Sequence, residues 1–352
     1  MNNLTENFSR QNFSTEETLE DLTLDTETKV IFTFLGITAL LITVANSLVL
    51  VLAWNMKFLR TKTNLFLLSL AASDLLSGIL VIPLVIACNL VYDSNSEQIC
   101  IAMDICQRGL AISTILHLAC AVIERYLKIS APFKYVSLVT RPRILKVLFS
   151  VWISAISISL VQLVWFAPKE QESANSQYLI YNVMVLCLFV FVPFIVTLVA
   201  FIRIFIIMKN SQECCKKMIY RTPSSVQKRT RSVNGKRSLL IYLTMLICFV
   251  LAWFPYFFLT IFIDMNSSIV EGIPAWINVM FLFLKTSSAL FNPLLFTYFK
   301  ADFQKALRNI SNGSWKNASV TSANIAIMRK RTMSNTLTTQ AGKDTELKSK
   351  RP

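Results

Sequence analysis

Histidine is almost missing: His117 is the only one in 352 residues. An intramembrane metal-dependent hydrolase needs several His and Asp ligands, so a single imidazole excludes that class. His117 stands beside no carboxylate cluster and reads as a packing or hydrogen-bonding residue. No Gly-rich phosphate loop is present. Groove-reading nucleic-acid motifs are absent too. Charge is scarce, at 16% of residues against 54% hydrophobic, and a soluble chain of this length needs far more polar surface. The first 29 residues are acidic and polar and lack an apolar signal-peptide core. The first apolar run therefore serves as an uncleaved signal anchor.

What the chain has is seven apolar runs, at 30–54, 65–91, 101–129, 144–167, 179–208, 238–263 and 276–299. Each is long enough to cross a bilayer, which takes about 20 residues of helix. The expected fold is an all-α membrane protein, a seven-helix transmembrane bundle. Basic residues set its direction. Lys57, Arg60 and Lys62 follow the first run, Lys128, Lys134, Arg141, Arg143 and Lys146 the third, and nine Lys and Arg from Lys209 to Arg237 the fifth. The alternate loops hold Asp93, Glu97, Glu170, Glu172 and Glu271 against Lys169. By the positive-inside rule the N-terminus lies outside and the C-terminus in the cytoplasm of a multi-pass plasma-membrane protein. The net charge of +15 belongs to the inner face and calls for no nucleic acid.

This topology gives an extracellular tail over 1–29, glycosylated at the sequons of Asn3, Asn7 and Asn12. A membrane domain spans 30–299, and a cytoplasmic tail of disordered composition covers 311–352. The inner loop 210–237 reads as disordered on the same grounds. Arg329, Lys330 and Arg331 beside Thr332 and Ser334 offer a kinase its basic context, and added phosphates would recruit an arrestin. The alternative is a solvated basic tail beside anionic lipid.

Several polar residues stand inside the runs. Asn46 lies in the first and Asp74 in the second, where an intramembrane carboxylate implies function. The third ends in Glu124-Arg125-Tyr126. Arg125 pairs with Glu124 in one state and releases it in another, or the helix ends there with its charges snorkelling to water. Pro83, Pro193, Pro255 and Pro293 interrupt four runs. Each removes a backbone bond and kinks its helix, so the bundle encloses a cavity and has moving parts.

Together these segments resemble the rhodopsin-like (class A) G-protein-coupled receptors. The resemblance rests on Asn46, Leu70-Ala-Ala-Ser-Asp74, Glu124-Arg125-Tyr126, Trp152, Phe249-Val-Leu-Ala-Trp253-Phe-Pro255 and Asn292-Pro293-Leu-Leu-Phe296, in order and one per run. It covers roughly 30–310. It implies that Arg125 meets a heterotrimeric G protein once the sixth span swings out. Trp253 is then the switch beneath an extracellular ligand, with Pro255 as its hinge. Asn46, Asp74, Thr114, Ser288 and Asn292 would hold an allosteric sodium ion, and no other cofactor is implied. Residues 300–310, with Phe303 and Leu307 on one face, would form a short amphipathic helix on the inner membrane.

The sequence departs from the family at four places. Phe296 and Phe201 stand where tyrosines are usual, and Gly235 where an acid often locks the arginine. The family's extracellular disulfide anchors at the position of Cys100, but its partner loop, 168–178, has no Cys; Cys88 is the remaining exterior candidate. Cys106, Cys120, Cys187 and Cys248 read as buried hydrophobes. Cys214 and Cys215 lie in the inner loop as acylation sites or plain loop residues.

Candidate ligand contacts are Asp104, Gln107 and Arg108 on the third run, Trp253, and Lys285 on the seventh. Asp104 and Arg108 are four apart with the acid first, a favourable helix pair. Lys285 has no local partner; it reaches Asp104 across the bundle or binds an anionic ligand. Amine receptors of the family carry Asp where Gln107 stands, which counts against an amine, with Asp104 one turn earlier as the substitute. Opsins carry a retinal-binding Lys near Lys285, but the spacing here is one residue too long. A transporter or channel using Asp74, Lys285 and Arg125 is the rival class. It favours paired halves with related broken helices, and no such repeat is present. The expected function is a receptor, not an enzyme.

Overall fold

The computed structural model describes residues 26–90, 96–165, 171–218, 225–265 and 274–311. The three sequons, the tail beyond 311, and the side chains of Cys214, Cys215 and Gly235 lie outside the described residues. Among the described residues, seven helices are long and apolar enough to cross a membrane: Thr26–Asn55, Lys62–Leu90, Glu97–Ser130, Arg141–Val164, Leu179–Asn210, Leu239–Phe262 and Trp276–Phe299. They are spans one to seven below. A short helix, Pro132–Leu138, links spans three and four, and an eighth, Ala301–Ser311, follows span seven. The chain is a seven-transmembrane bundle with an added amphipathic helix.

The helices overrun the apolar runs at several ends. Thr61 caps span two by accepting from the Asn64 amide, and Pro132 and Pro142 occupy first-turn positions where a missing N–H costs nothing. The loop expected to be disordered over 210–237 is a correction. The fifth helix runs on to Met218 and the sixth starts at Ser225. Lys, Arg, Gln and Glu are good helix formers, so a helix nucleated in the membrane propagates into water. Hydropathy reports only where lipid contact ends.

Large apolar side chains such as Leu40, Val44, Trp54, Phe149 and Leu251 point outward, toward lipid. The inward faces form one main cluster at the end bearing Arg125, including Leu67, Leu118, Phe201, Met245 and Phe296. A smaller cluster at the other end gathers Leu35, Ile42, Val81 and Ile82. Phe303 of the eighth helix is fully buried and packs on Phe296, ring centroids 5.3 Å apart.

The prolines act in two ways. Pro83 and Pro193 follow wide π-helical turns, Ser77–Val81 and Val185–Phe191, where the missing N–H is absorbed by an extra residue per turn. Pro255 and Pro293 sit inside continuous helix. Pro293 withdraws the donor of the Ala289 carbonyl, and Asn46 Nδ2 donates to that carbonyl at 3.4 Å and to Ile42 O at 3.0 Å. Span one thus repairs the break in span seven.

Candidate functional site

Two polar systems run through this bundle. The first begins at the end opposite Arg125. There Cys88 and Cys100 form a disulfide that ties span two to span three, with a Cα–Cα distance of 4.9 Å. One helical turn further along span three lies Asp104. Its carboxylate accepts from Arg108 Nε at 2.6 Å, as the four-residue spacing dictates. Arg108 also donates to Asn182 Oδ1 of span five and lies 5.7 Å from the Tyr181 ring. It is 8% exposed. Arg108 is therefore a structural clamp between spans three and five, and Asp104 is its counter-ion.

Lys285 does not reach Asp104: among the described residues it has no ion pair within 4.0 Å. Its ammonium sits over the Tyr256 ring, 3.8 Å from the centroid, a cation–π arrangement. Lys285, Gln107, Trp253, Thr114, Ser288 and Asp74 line one internal cavity of about 30 Å³. Gln107 is 4% exposed, and neither of its amide atoms has a hydrogen-bond partner. Such a buried amide is costly unless something occupies the cavity. Trp253 Nε1 donates to Ser288 Oγ at 3.2 Å, and Ser288 Oγ donates to the Lys285 carbonyl at 2.7 Å. Ser288 thus joins the Lys285 backbone to Trp253, two residues from Pro255.

The floor of the cavity is Asp74, 2% exposed. Asn292 Nδ2 donates to its Oδ2 at 3.1 Å, across 218 residues of sequence. Asn46 turns its amide to backbone carbonyls and does not meet Asp74. Thr114 donates to Leu110 O at 2.9 Å, leaving its oxygen lone pairs available, while Ser288 Oγ, which already accepts from Trp253, keeps one. Ser77 lines the same space. A carboxylate among hydroxyl oxygens suits a hard monovalent cation.

Sequence reasoning passed over a polar chain behind span three. His117 Nε2 pairs with Ser69 Oγ at 2.8 Å, and Trp152 Nε1 donates to the same hydroxyl at 3.0 Å. Ser113 closes it at His117 Nδ1. His117 and Trp152 were visible as isolated polar positions; the serine joining them gave no signal.

The second system surrounds Glu124-Arg125-Tyr126. Glu124 is 3% exposed. Its Oε1 accepts from Thr63 Oγ1 at 2.8 Å and from Tyr135 OH at 2.5 Å. Arg125 Nε is 3.9 Å from the other carboxylate oxygen, a contact without a hydrogen bond. The guanidinium instead lies over the Tyr242 ring of span six, 5.8 Å from its centroid. Tyr126 is half-buried against the main cluster. Lys300, just past span seven, is 7% exposed and donates to Asn64 Oδ1 of span two. Burial, and then the Arg125 charge, push its amine down to about 7. Neither Tyr135 nor Lys300 was singled out in the sequence, because each finds its partner across the fold.

Comparison with known proteins bears on both systems. Residues 45–296 match the family described as 7 transmembrane receptor (rhodopsin family). The chain is 26% identical to the histamine H2 receptor of Rattus norvegicus over 310 residues, 83% of this chain and 81% of the relative. It is 28% identical to the 5-hydroxytryptamine receptor 4 of Homo sapiens over 313 residues, covering 80% and 79%. It is 23% identical to the adenosine receptor A2b of Rattus norvegicus over 279 residues, covering 72% and 80%. Neither the transporter nor the photoreceptor reading gains support from these relatives. A seven-span bundle with a half-buried arginine at one end and a polar cavity toward the other, matched over most of its length, belongs to the rhodopsin family of seven-transmembrane receptors: it is a multi-pass plasma-membrane receptor that couples an extracellular ligand to a G protein.

Proposed function

We propose that the ligand is a small molecule carrying a carboxylate or phosphate, held by Lys285 and Gln107. The carrying observation is a lysine with no ion pair among the described residues, in a cavity whose own acid, Asp74, accepts from Asn292. Asp104 is bound to Arg108, so Lys285 lacks a counter-ion and an intramembrane cation calls for one. An incoming anion accepts from the ammonium and from Gln107 Nε2, while Gln107 Oε1 takes a donor on the same ligand. The cavity of about 30 Å³ is far below the roughly 300–1,000 Å³ of ligand pockets. The resting form is closed, and binding parts spans six and seven. Lys285 leaves the Tyr256 face, Ser288 follows through the Lys285 carbonyl, and Trp253 moves above the Pro255 hinge.

The names of the relatives point to amines and a nucleoside as their ligands. An amine needs a free acid beside Gln107, and Asp104 is not free. A neutral nucleoside-like ligand is the second reading, favoured by the unpartnered amide of Gln107. It would leave Lys285 aside.

The remaining assignments follow the charge pattern. The N-terminus lies outside, glycosylated at Asn3, Asn7 and Asn12, and Arg125 faces the cytoplasm. Arg125 meets the G protein when span six moves away. Asp74, Thr114 and Ser288 would hold sodium, which supplies a positive charge against the buried carboxylate. Asn292 orients that carboxylate. The tail beyond 311 takes a receptor kinase and arrestin, and the eighth helix rests on inner-leaflet lipid. The test is a panel of small carboxylates, phosphates and amines with second-messenger readouts on wild type, Lys285→Met and Arg125→Ala. Lys285→Met abolishes the response to an anionic agonist while surface expression persists. Retained potency in that variant ends the anionic reading.

A further inference from the structure

At the Arg125 end, span six presents one aromatic side chain to the guanidinium. Tyr242 is 2% exposed, and its hydroxyl has no hydrogen-bond partner among the described residues. On the other side, Arg125 Nε and Glu124 Oε2 are buried without a hydrogen bond and face each other at 3.9 Å. Three such atoms on facing elements are rarely a packing accident, since buried polar groups are nearly always satisfied. Arg125 and, behind it, Glu124 are the charges acting on the phenol.

Composition nearby sharpens the point. Phe201 and Phe296 are buried at this same end, 5% and 0% exposed, so the chain uses phenylalanine where only a ring is needed. At Tyr242 it keeps a hydroxyl in a place where a hydroxyl is costly unless it works with a neighbour. Within the triplet Arg125 has only a long ion pair to Glu124, without a hydrogen bond. Glu124 is drawn to the opposite side by Thr63 and Tyr135 and stays 3.9 Å from Arg125 Nε. Among the described residues, the span-six side chain facing the guanidinium is Tyr242, and a partly exposed guanidinium over an aromatic face is attracted to it.

We propose that Tyr242 is the positioning residue that latches Arg125 to span six in the resting receptor. It does so from span six, in a chain whose Gly235 offers no acid. The latch is the face of the ring, a contact weaker than a closed Arg–carboxylate pair. When span six moves, the ring moves with it and the guanidinium is released. This rests on the reading of Arg125 as the G-protein contact.

The test uses the full-length receptor in membranes with a panel of purified G-protein heterotrimers, scored as basal nucleotide exchange per surface receptor. Spin labels on the inner ends of spans two and six report opening without any G protein. Tyr242→Leu raises basal exchange by about two- to fivefold, the factor a single cation–π contact corresponds to, and shifts the label distances outward. Tyr242→Phe, which keeps the ring, gives a smaller rise. In an Arg125→Ala background Tyr242→Leu produces no further opening, because the partner is gone; a double-mutant cycle isolates that coupling. Unchanged exchange and label distances in Tyr242→Leu overturn the latch while Arg125→Ala still silences the receptor. Equal opening by Tyr242→Leu with or without Arg125 overturns it too, since the residue then acts by packing. Full exchange in Arg125→Ala removes the reading of Arg125 and the latch with it.

Discussion

Lys285 sits over Tyr256, its ammonium 3.8 Å from the ring centroid, in a cavity that it shares with the unpartnered amide of Gln107. A carboxylate placed at that amide would supply the counter-ion that Asp104 does not. Gln107→Asp therefore satisfies Lys285 internally and competes with an anionic agonist. We expect potency for such an agonist to fall about tenfold or more, the equivalent of about 1.4 kcal/mol, with Gln107→Asn causing a smaller loss. Concentration–response curves on surface-matched cells measure it. Unchanged potency in Gln107→Asp means that the ammonium does not contact the ligand.

Tyr135 donates to Glu124 at 2.5 Å from the short helix that links spans three and four. A hydrogen bond to a buried charged acceptor contributes about 1.5–3 kcal/mol. Tyr135→Phe removes it and leaves Glu124 Oε1 with Thr63 alone. The expected result is a lower unfolding temperature in detergent. Burial first, then the hydrogen bond and charge of Glu124, hold the Tyr135 phenol well above its usual range. The phenol keeps its proton at every pH the receptor survives, so the deficit of Tyr135→Phe is the same at pH 6 and pH 9. A deficit that disappears at pH 9 assigns the bond to a different donor.

These two cases show what the sequence makes legible. Seven spans follow from hydropathy because lipid contact demands apolar faces over a fixed length. The Asp104–Arg108 pair follows from a spacing of four within one helix. Tyr135 and Glu124 are 11 apart across a chain reversal, and Lys300 meets Asn64 across 236 residues. Eleven residues along one helix would stand about 16 Å apart and 236 are beyond any local period, so no local pattern announces either contact. Lys285 was recognisable as a charge in a span, but whether Asp104 was free to meet it depended on Arg108 reaching Asn182 of span five. The helical extension of the fifth and sixth helices escaped because polar composition describes solvation and not backbone conformation.

Gly78 lies in the π-helical turn of span two, against span one. A Cβ there would stand 2.8 Å from Thr43 Oγ1 and 3.1 Å from both Ala39 O and Ile42 Cγ2. One of the three is backbone, so the helices themselves must separate. Overpacking of this kind costs about 1–3 kcal/mol. Gly78→Ala is expected to lower thermal stability by that amount. Gly36→Ala, with nothing within 4 Å of the added carbon, is expected to leave it level or slightly raised. Equal effects of the two would show that spans one and two do not meet at Gly78.

Lys300 fastens the start of the eighth helix to Asn64 of span two, and burial brings its amine from an ordinary 10.5 to about 7. Arg125 and Lys128 act in the same direction as burial, while Asp302 and Glu124 oppose them. The sign of the pH effect follows. Below about 7 the docked amine is protonated and buried at a cost, and docking does not change with pH. From about 7 up to 10.5 the docked lysine has lost its proton while an undocked one keeps it. The undocked state then binds more protons, so docking strengthens as pH rises through that window. Amide exchange over 301–311, corrected for its intrinsic pH dependence, should become slower between pH 7 and 9. Lys300→Met should remove this dependence, because a methionine at that position has nothing to titrate. A rise in protection that persists in Lys300→Met would move the titration to another group, and a protection that stays flat from pH 7 to 9 would mean that the docked amine keeps its proton.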